Sequence, residues 1–170
     1  MVFSWFYGAS AERFYTILGD DVRKFQPPTR VKAVCKEIHA ELCRQLPVLA
    51  KWFEDIIEQA KGVGYLRTPK SNRIRYFDRD AHGAASNHPI QSINAEAIKV
   101  AMINMDRWLE ETGYGRLVLN IHDQLITSCN PEYVELVKAK QTQVMADALS
   151  YFLTTIKGAS SCKVTKYWEK

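Results

Sequence analysis

Two strand-like runs separated by a short polar stretch constrain the fold of this chain more than any other feature. Leu, Val and Ile are frequent in residues 117–121 and 125–129, and His122, Asp123 and Gln124 lie between the two runs. This pattern predicts a β-hairpin with polar residues at its tip. The carboxylate of Asp123 on such a rigid turn can ligate a hard cation such as Mg²⁺. The alternative is that Asp123 only forms the turn through its own backbone hydrogen bonds, as aspartate often does.

The spacing of apolar residues predicts helices in the first third of the chain. Apolar residues recur every three or four positions across 31–57, as in an amphipathic helix. Pro47 interrupts this run, and an internal proline removes a hydrogen bond and clashes with the preceding turn. We therefore predict two helices, the second ending at the glycines 62 and 64. In residues 1–18, a break at Gly8 predicts that one short helix ends and another begins.

The remaining elements alternate between strands and long helices. Short strands are predicted at 65–68 and 73–77, around a turn that contains Pro69. A helix is predicted from near Asn87 to Glu111, and a last strand at the end of the chain, residues 162–168. Another long helix follows Pro131, and its predicted apolar side consists of Val134, Val137, Val144, Met145, Ala148, Phe152 and Ile156. This order of elements predicts an α+β fold in a single domain without internal repeats.

The composition fits one folded domain with a basic edge. With 170 residues, of which 46% are hydrophobic and 25% charged, the chain has enough apolar material for a core. The formal net charge of +4 is too small to prove a nucleic-acid partner unless the cations cluster. One cluster is present, although a solvated loop would look similar; it comprises Arg67, Lys70, Arg73, Arg75 and Arg79.

The four cysteines and the lack of long apolar segments indicate the compartment. Cys35, Cys43, Cys129 and Cys162 form neither a Cys-x-x-Cys pair nor a zinc-finger spacing, so we expect reduced thiols. The N-terminal segment lacks the basic region of a secretory signal, and no run approaches the roughly 20 apolar residues of a membrane helix. We expect a soluble, intracellular protein without a membrane partner.

Carboxamide side chains mark the start of the helix near Asn87. Asn87 and Gln91 are four residues apart and would share one helix face, with Asn94 one turn further along. Carboxamides can donate hydrogen bonds to the minor-groove acceptors that every base pair offers. The alternative is an ordinary helix start, with Asn87 as N-cap, Pro89 in the first turn and Gln91 in solvent.

The order of these features resembles the C-terminal part of family A DNA polymerases, the bacterial polymerase I-like group that includes many phage enzymes. Phe3-x-x-x-Tyr7-Gly8-x-Ser10 is similar to the end of the fingers motif. Asn87-x-Pro89-x-Gln91 is similar to the kinked palm helix, and Ile121-His122-Asp123-Gln124 to the motif C hairpin, usually Val-His-Asp-Glu. The Leu46-Pro47 break, Gly64-Tyr65, Arg73 and Arg75 before Tyr76, and Trp168 follow the family's order, so the resemblance spans the whole chain.

The resemblance implies a fold and a division of the chain. The fold would be an antiparallel palm sheet with the motif C hairpin packed against long helices, plus a helical remnant of the fingers, in an incomplete polymerase domain. Residues 1–80 would form part of the fingers and return to the palm. Residues 81–170 would form the palm, with the motif C hairpin at 116–129.

The resemblance also implies residue roles in template-directed nucleotidyl transfer from dNTPs to a primer 3′-hydroxyl. Asp123 would bind Mg²⁺ in a two-metal site and His122 would lie beside the primer terminus. Phe3 and Tyr7 would line the nucleotide pocket. Primer-template DNA would contact Asn87, Gln91, Arg73 and Arg75. Without the family match, His122 would be an ordinary strand histidine, and Phe3 and Tyr7 would be core aromatics.

Parts of the family pattern are missing or altered in these 170 residues. The fingers Arg and Lys that grip the triphosphate, the upstream palm strand with the second metal-binding Asp (motif A), the thumb and the exonuclease domain are absent. Gln124 stands where a glutamate is usual, and Gly83 where many members carry an arginine. We therefore expect either an excised fragment or half of a split polymerase that needs a partner chain, cytoplasmic in a bacterial or phage-infected cell.

Two other functions remain open. A degenerate polymerase could hold primer-template DNA without catalysis, which the altered Gln124 favours. An unrelated metal-dependent hydrolase could use Asp123 and His122, although no second acid or His cluster has ligand spacing.

Overall fold

A computed structural model describes residues 9–78 and 82–167 and has an α+β fold with antiparallel strands. The chain divides into two compact units. The first contains residues 1–68 and 72–89, and the second contains residues 69–71 and 90–170. The expected division into fingers and palm parts at residue 80 stays a prediction.

Three helices form most of the first unit: α1 (Ala11–Arg23), α2 (Pro28–Gln45) and α3 (Pro47–Val63). Ser10 caps α1 because its hydroxyl accepts the backbone N–H of Arg13 at 3.3 Å. The helices α1 and α2 pack through buried apolar residues, which are Phe14, Leu18, Val31 and Cys35. Burial in this core raises the pKa of the Cys35 thiol.

The predicted break at Pro47 is confirmed. Helix α2 ends at Gln45 and α3 begins at Pro47, where proline fits because a first-turn N–H has no partner within the helix. The end of α3 is also as predicted. Gly64 caps it in the left-handed conformation at φ 77°, which glycine adopts without a Cβ clash.

A short hairpin follows, made of β1 (Tyr65–Arg67) and β2 (Ile74–Tyr76), and confirms the predicted strand pair. Leu66 is buried against Ala60 of α3 and Ala85, so one face of the hairpin packs on the core of this unit. The other face is open to solvent.

Helix α4 (His82–Thr112) begins five residues before Asn87, earlier than the start predicted near that residue. The alternative in which Asn87 is the N-cap and Pro89 lies in the first turn is wrong, because Pro89 lies inside the helix. Two buried residues, Ala85 and Ser86, precede the proline. Ala85 packs against Ala60 and Leu66, and the Ser86 hydroxyl donates to the Gly83 carbonyl oxygen at 3.2 Å, so these contacts stabilise the helix before the proline.

The second unit contains the predicted hairpin, formed by β3 (Gly115–Ile121) and β4 (Gln124–Cys129). A bulge lies between Leu117 and Leu119, where the strand register shifts. Helix α5 (Val134–Phe152) follows a 3₁₀ turn at Pro131–Tyr133. The core combines α4, β4 and α5 through Ile98, Ala101, Met105, Leu109, Leu125, Val137, Val144 and Ala148.

The end of the chain differs from the prediction. Residues 162–167 form no strand, and Trp168 lies outside the described residues. A strand requires a hydrogen-bonded neighbour, and in the described part of the chain this segment has no ladder. Ile156 also lies beyond α5 and is 73% exposed, so it does not belong to the apolar side of that helix.

At Gly158 the last segment of the chain contacts helix α5. Its N–H donates to Ser150 Oγ at 2.8 Å, and a Cβ there would meet the Ala146 carbonyl oxygen at 2.6 Å. Within the two described ranges, no helix is long and apolar enough to cross a membrane.

Candidate functional site

The tip of the β3–β4 hairpin carries the first candidate residues. Ile121 pairs with Gln124, so His122 and Asp123 form a two-residue turn, and both side chains are exposed. His122 has φ 53°, a left-handed conformation that is uncommon for a residue other than glycine. The Asn120 side chain donates to the Gln124 carbonyl oxygen at 3.1 Å, and this bond spans the turn.

Helix α5 holds β4 in place through one buried amide. Gln141 donates to the Leu125 carbonyl oxygen at 2.8 Å and accepts from the Thr127 hydroxyl at 2.7 Å. Only 8% of Gln141 is exposed. Sequence reasoning missed this residue, although its spacing gave a signal. Gln141 lies four residues after Val137 and three before Val144 on the apolar side of α5.

A cavity of about 1310 Å³ lies beside β4 in the second unit. Its walls are residues 123–129, parts of α4 and α5, and the terminal segment 159–167. Cys129 and Cys162 both line it, and burial raises the pKa of the Cys162 thiol, partly opposed by nearby Lys138. Asp123 lies on this wall, so the cavity reaches the hairpin tip.

The described residues provide few metal donors at this site. No group of three or more His, Cys, Asp or Glu side chains that could hold a metal occurs within residues 9–78 and 82–167. The tip offers the Asp123 carboxylate. Mg²⁺ usually takes one or two protein carboxylates and completes its shell with water and substrate phosphates, so Asp123 fits as one ligand.

The predicted DNA-binding arginines lie on the β1–β2 hairpin in the first unit. Arg73 and Arg75 are exposed, and the Arg75 guanidinium lies 5.1 Å from the Phe77 ring centre. Phe77 also meets His88 edge to face, with ring centres 5.6 Å apart. Burial of His88, followed by the charge of Arg75, lowers the pKa of this histidine. Its Nε2 has no hydrogen-bond partner among the described atoms.

The two carboxamides lie on α4 on either side of Pro89. Gln91 is exposed and belongs to the second unit. Asn87 is half-buried in the first unit, and its Oδ1 has no hydrogen-bond partner among the described atoms. The nucleotide-pocket candidates Phe3 and Tyr7 lie outside the described residues.

Comparison with known proteins decides the family. The sequence pattern of DNA polymerase family A matches residues 1–170, the whole chain. The chain belongs to DNA polymerase family A. This confirms the resemblance that rested on the order of the Asn87, Gln91 and Asp123 motifs.

Individual relatives agree with this family assignment. DNA polymerase I of Lactococcus lactis subsp. cremoris is 31% identical over 113 residues, which are 61% of this chain and 13% of the relative. DNA polymerase I of Chloroflexus aurantiacus is 30% identical over 144 residues, 79% of this chain and 14% of the relative. DNA polymerase I of Bacillus subtilis is 35% identical over 112 residues, 58% of this chain and 12% of the relative.

The fold has a solved counterpart in the family. The POL domain of Pol1 from M. smegmatis, in complex with DNA primer-template and dNTP, matches with a TM-score of 0.69 and 27% identity. The match covers 87% of this chain and 26% of that domain chain. This chain therefore covers 26% of the solved domain chain. It covers 12% to 14% of the length of the three relatives above.

Proposed function

We propose that this chain is part of a DNA-directed DNA polymerase that transfers nucleotides from dNTPs to a primer 3′-hydroxyl on a template. The observation that carries the proposal is the position of Asp123 at an exposed two-residue hairpin tip in a family A chain. A short turn on a hairpin anchored by Gln141 fixes the backbone that carries this carboxylate. Such preorganisation favours a catalytic ligand because no reorganisation is needed during the reaction.

Asp123 is proposed to bind Mg²⁺ in this enzyme. Mg²⁺ bound there would place positive charge against the reacting phosphate oxygens and the leaving pyrophosphate. His122 precedes the carboxylate in the turn, and we propose that its exposed imidazole contacts the primer terminus. Gln124 contributes an amide in place of a carboxylate, so its proposed role is hydrogen bonding.

We propose that a second carboxylate comes from outside the described residues. The absence of a three-ligand cluster among the described residues supports this step, because two cations need more than one carboxylate. We propose an upstream palm segment carrying motif A, supplied by a partner fragment or by a longer form of the chain. The cavity beside β4 has room for such a segment, and its wall includes Asp123.

DNA and nucleotide contacts are proposed from the family assignment and from exposure. Arg73 and Arg75 carry two positive charges on an open hairpin, which suits contact with DNA phosphates. Asn87 and Gln91 are proposed to contact the primer-template minor groove, where carboxamides find acceptors at every base pair. Phe3 and Tyr7 are proposed to line the dNTP pocket.

The proposed domain organisation follows the family. Residues 1–80 would belong to the fingers and the return to the palm, and residues 81–170 to the palm with the hairpin at 116–129. A phage or bacterial origin and a cytoplasmic location are part of the same proposal.

Reconstitution of primer extension tests the function. The 170-residue chain is combined with the upstream polymerase segment encoded with it, a labelled primer-template, Mg²⁺ and dNTPs. We expect extension that falls on the order of 100-fold or more with Asp123→Asn, the scale on which loss of one charge-stabilising group acts. Asp147→Asn is the matched control, because it neutralises an exposed carboxylate elsewhere in the second unit. Unchanged extension by Asp123→Asn would refute the catalytic assignment.

A second candidate is a polymerase remnant that holds primer-template DNA without catalysis. Gln124 favours it, because an amide at this position removes one negative charge beside the proposed metal site. If the wild-type mixture binds the duplex but gives no extension, this candidate replaces the first. The family assignment argues against the unrelated metal-dependent hydrolase.

A further inference from the structure

The solvent-facing side of the β1–β2 hairpin carries aromatic and cationic residues that the proposed function does not use. Residues directly opposite each other in an antiparallel pair point to the same face. Tyr65 pairs with Tyr76 and Arg67 pairs with Ile74, so these four side chains share one face. Leu66 and Arg75 point to the other face, where Leu66 is buried. The face of Tyr65, Arg67, Ile74 and Tyr76, called here the tyrosine face, is therefore turned to solvent.

Tyr76 is open although it is large and partly apolar. It is 77% exposed, and its ring meets that of Tyr65 at an interplanar angle of 63° with centres 6.0 Å apart. This contact holds the ring in place, and the exposure leaves most of the ring surface open to solvent. Ile74 beside it is 37% exposed. An exposed aromatic ring held in this way is a platform on which unpaired nucleobases stack.

Arg67 is held on the same face in a position that suits a phosphate. Its guanidinium carbon lies 5.6 Å from the Tyr65 ring centre, and its Nη1 donates to the Asn72 carbonyl oxygen at 3.3 Å. These two contacts orient the guanidinium, and its other N–H groups make no hydrogen bond within residues 9–78 and 82–167. No acidic residue occurs in the sequence from Tyr65 to Phe77, so the local charge is positive. That charge complements a polyanion.

We infer that the tyrosine face binds single-stranded DNA, with an unpaired base stacked on Tyr76 and a neighbouring phosphate bound by Arg67. This goes beyond the proposed function, because it needs neither Asp123, a metal nor a dNTP. It also differs from the phosphate contacts proposed for Arg73 and Arg75, because Arg75 lies on the opposite face. In a polymerase this ligand would be the unpaired template strand.

The test measures binding of the full chain to a fluorescein-labelled oligothymidine by anisotropy, without Mg²⁺ or dNTPs. We expect Tyr76→Ala to weaken binding on the order of tenfold, as loss of one stacking ring does. Tyr76→Phe keeps the ring and should bind like the wild type. Phe25→Ala is the matched control, because Phe25 is an 83% exposed aromatic elsewhere in the first unit. An oligothymidine with one 2-aminopurine should show quenching that Tyr76→Ala removes.

Salt dependence separates stacking from charge. Arg67→Gln should reduce the slope of log affinity against log salt by about 0.7, the value for one phosphate on a single strand. Tyr76→Ala should lower the affinity and leave that slope unchanged. Equal affinity of Tyr76→Ala and the wild type for single-stranded DNA would overturn the inference. Such a result would favour contact of the tyrosine face with a protein instead of DNA. It would not test the proposed role in primer extension.

Discussion

At the scale of single residues, His122 combines an unfavourable backbone conformation with an exposed position at the proposed site. Its φ of 53° costs a residue with a Cβ about 1 kcal/mol relative to glycine. Strained positions of this kind concentrate at functional sites. The imidazole itself is therefore the proposed reason for the strain.

Replacement of His122 by glycine should separate stability from function. We expect His122→Gly to raise the free energy of unfolding by about 1 kcal/mol, less the entropy that glycine adds to the unfolded chain, and to lower primer extension. Chemical denaturation and the reconstituted extension assay measure the two effects. Asn72→Gly, at φ 55° in the other hairpin, is the control that should leave extension unchanged. Full extension by His122→Gly would show that the imidazole is dispensable.

His88 should make the stability of the first unit depend on pH. Burial lowers its folded pKa below the ordinary value, so the unfolded state takes up the proton first as the pH falls. The contribution of neutral His88 to the free energy of unfolding is complete above about pH 6.5. It is lost as the pH falls from there toward the lowered folded pKa. His88→Phe keeps a ring against Phe77 and should lose this part of the pH dependence.

Thermal unfolding at about pH 7.5 and pH 5.5 measures the difference between wild type and His88→Phe. Other acid-sensitive groups are common to both proteins and cancel in the comparison. An identical loss of stability in both proteins would mean that His88 is protonated equally well in the folded and unfolded states.

At the scale of elements, the sequence predicted those helices and strands whose bounds depend on residues close together in the chain. The Pro47 break and the β3–β4 hairpin followed from proline geometry and from polar residues between two apolar runs. Helix α4 begins earlier than predicted, because Pro89 normally marks a boundary and the contacts of Ala85 and Ser86 override that local rule. The predicted strand does not form in residues 162–167, because a strand depends on a partner that no local pattern specifies.

The contact between helix α5 and strand β4 positions the β3–β4 hairpin. Gln141→Leu keeps the size of the side chain but leaves the Leu125 carbonyl and the Thr127 hydroxyl without their partner. Unsatisfied buried groups cost about 1–3 kcal/mol each, so we expect the variant to unfold at a lower denaturant concentration. Gln143→Leu, on an exposed position of the same helix, is the control that should change stability little.

A double-mutant cycle assigns part of this effect to the Thr127 bond. Thr127→Val removes the hydroxyl, so adding it to Gln141→Leu should cost less than it costs in the wild type. Strict additivity of the two substitutions would contradict the hydrogen bond between their side chains.

At the scale of the whole molecule, we expect the distribution of charge to matter more for the proposed DNA binding than the net charge. The net charge of +4 is modest, and many basic side chains are already paired within helices, such as Arg44 with Glu41 and Lys51 with Asp55. The sequence predicted the basic cluster as a set of residues, of which Arg79 lies outside the described residues. It could not predict that the two strands would sort Arg67 and Arg75 onto opposite faces, because that depends on the register of the pair.

Two double variants with the same net charge test this view of binding. Arg73→Gln with Arg75→Gln should weaken binding to a primer-template duplex and reduce the slope of log affinity against log salt by about 1.8, or 0.9 for each phosphate contact. Arg30→Gln with Lys32→Gln removes the same two charges from exposed positions on α2 and should leave the slope nearly unchanged. Anisotropy titrations of a labelled duplex at several salt concentrations measure both slopes. Equal slopes for the two double variants would mean that net charge alone governs binding, and Arg73 and Arg75 would lose their proposed role.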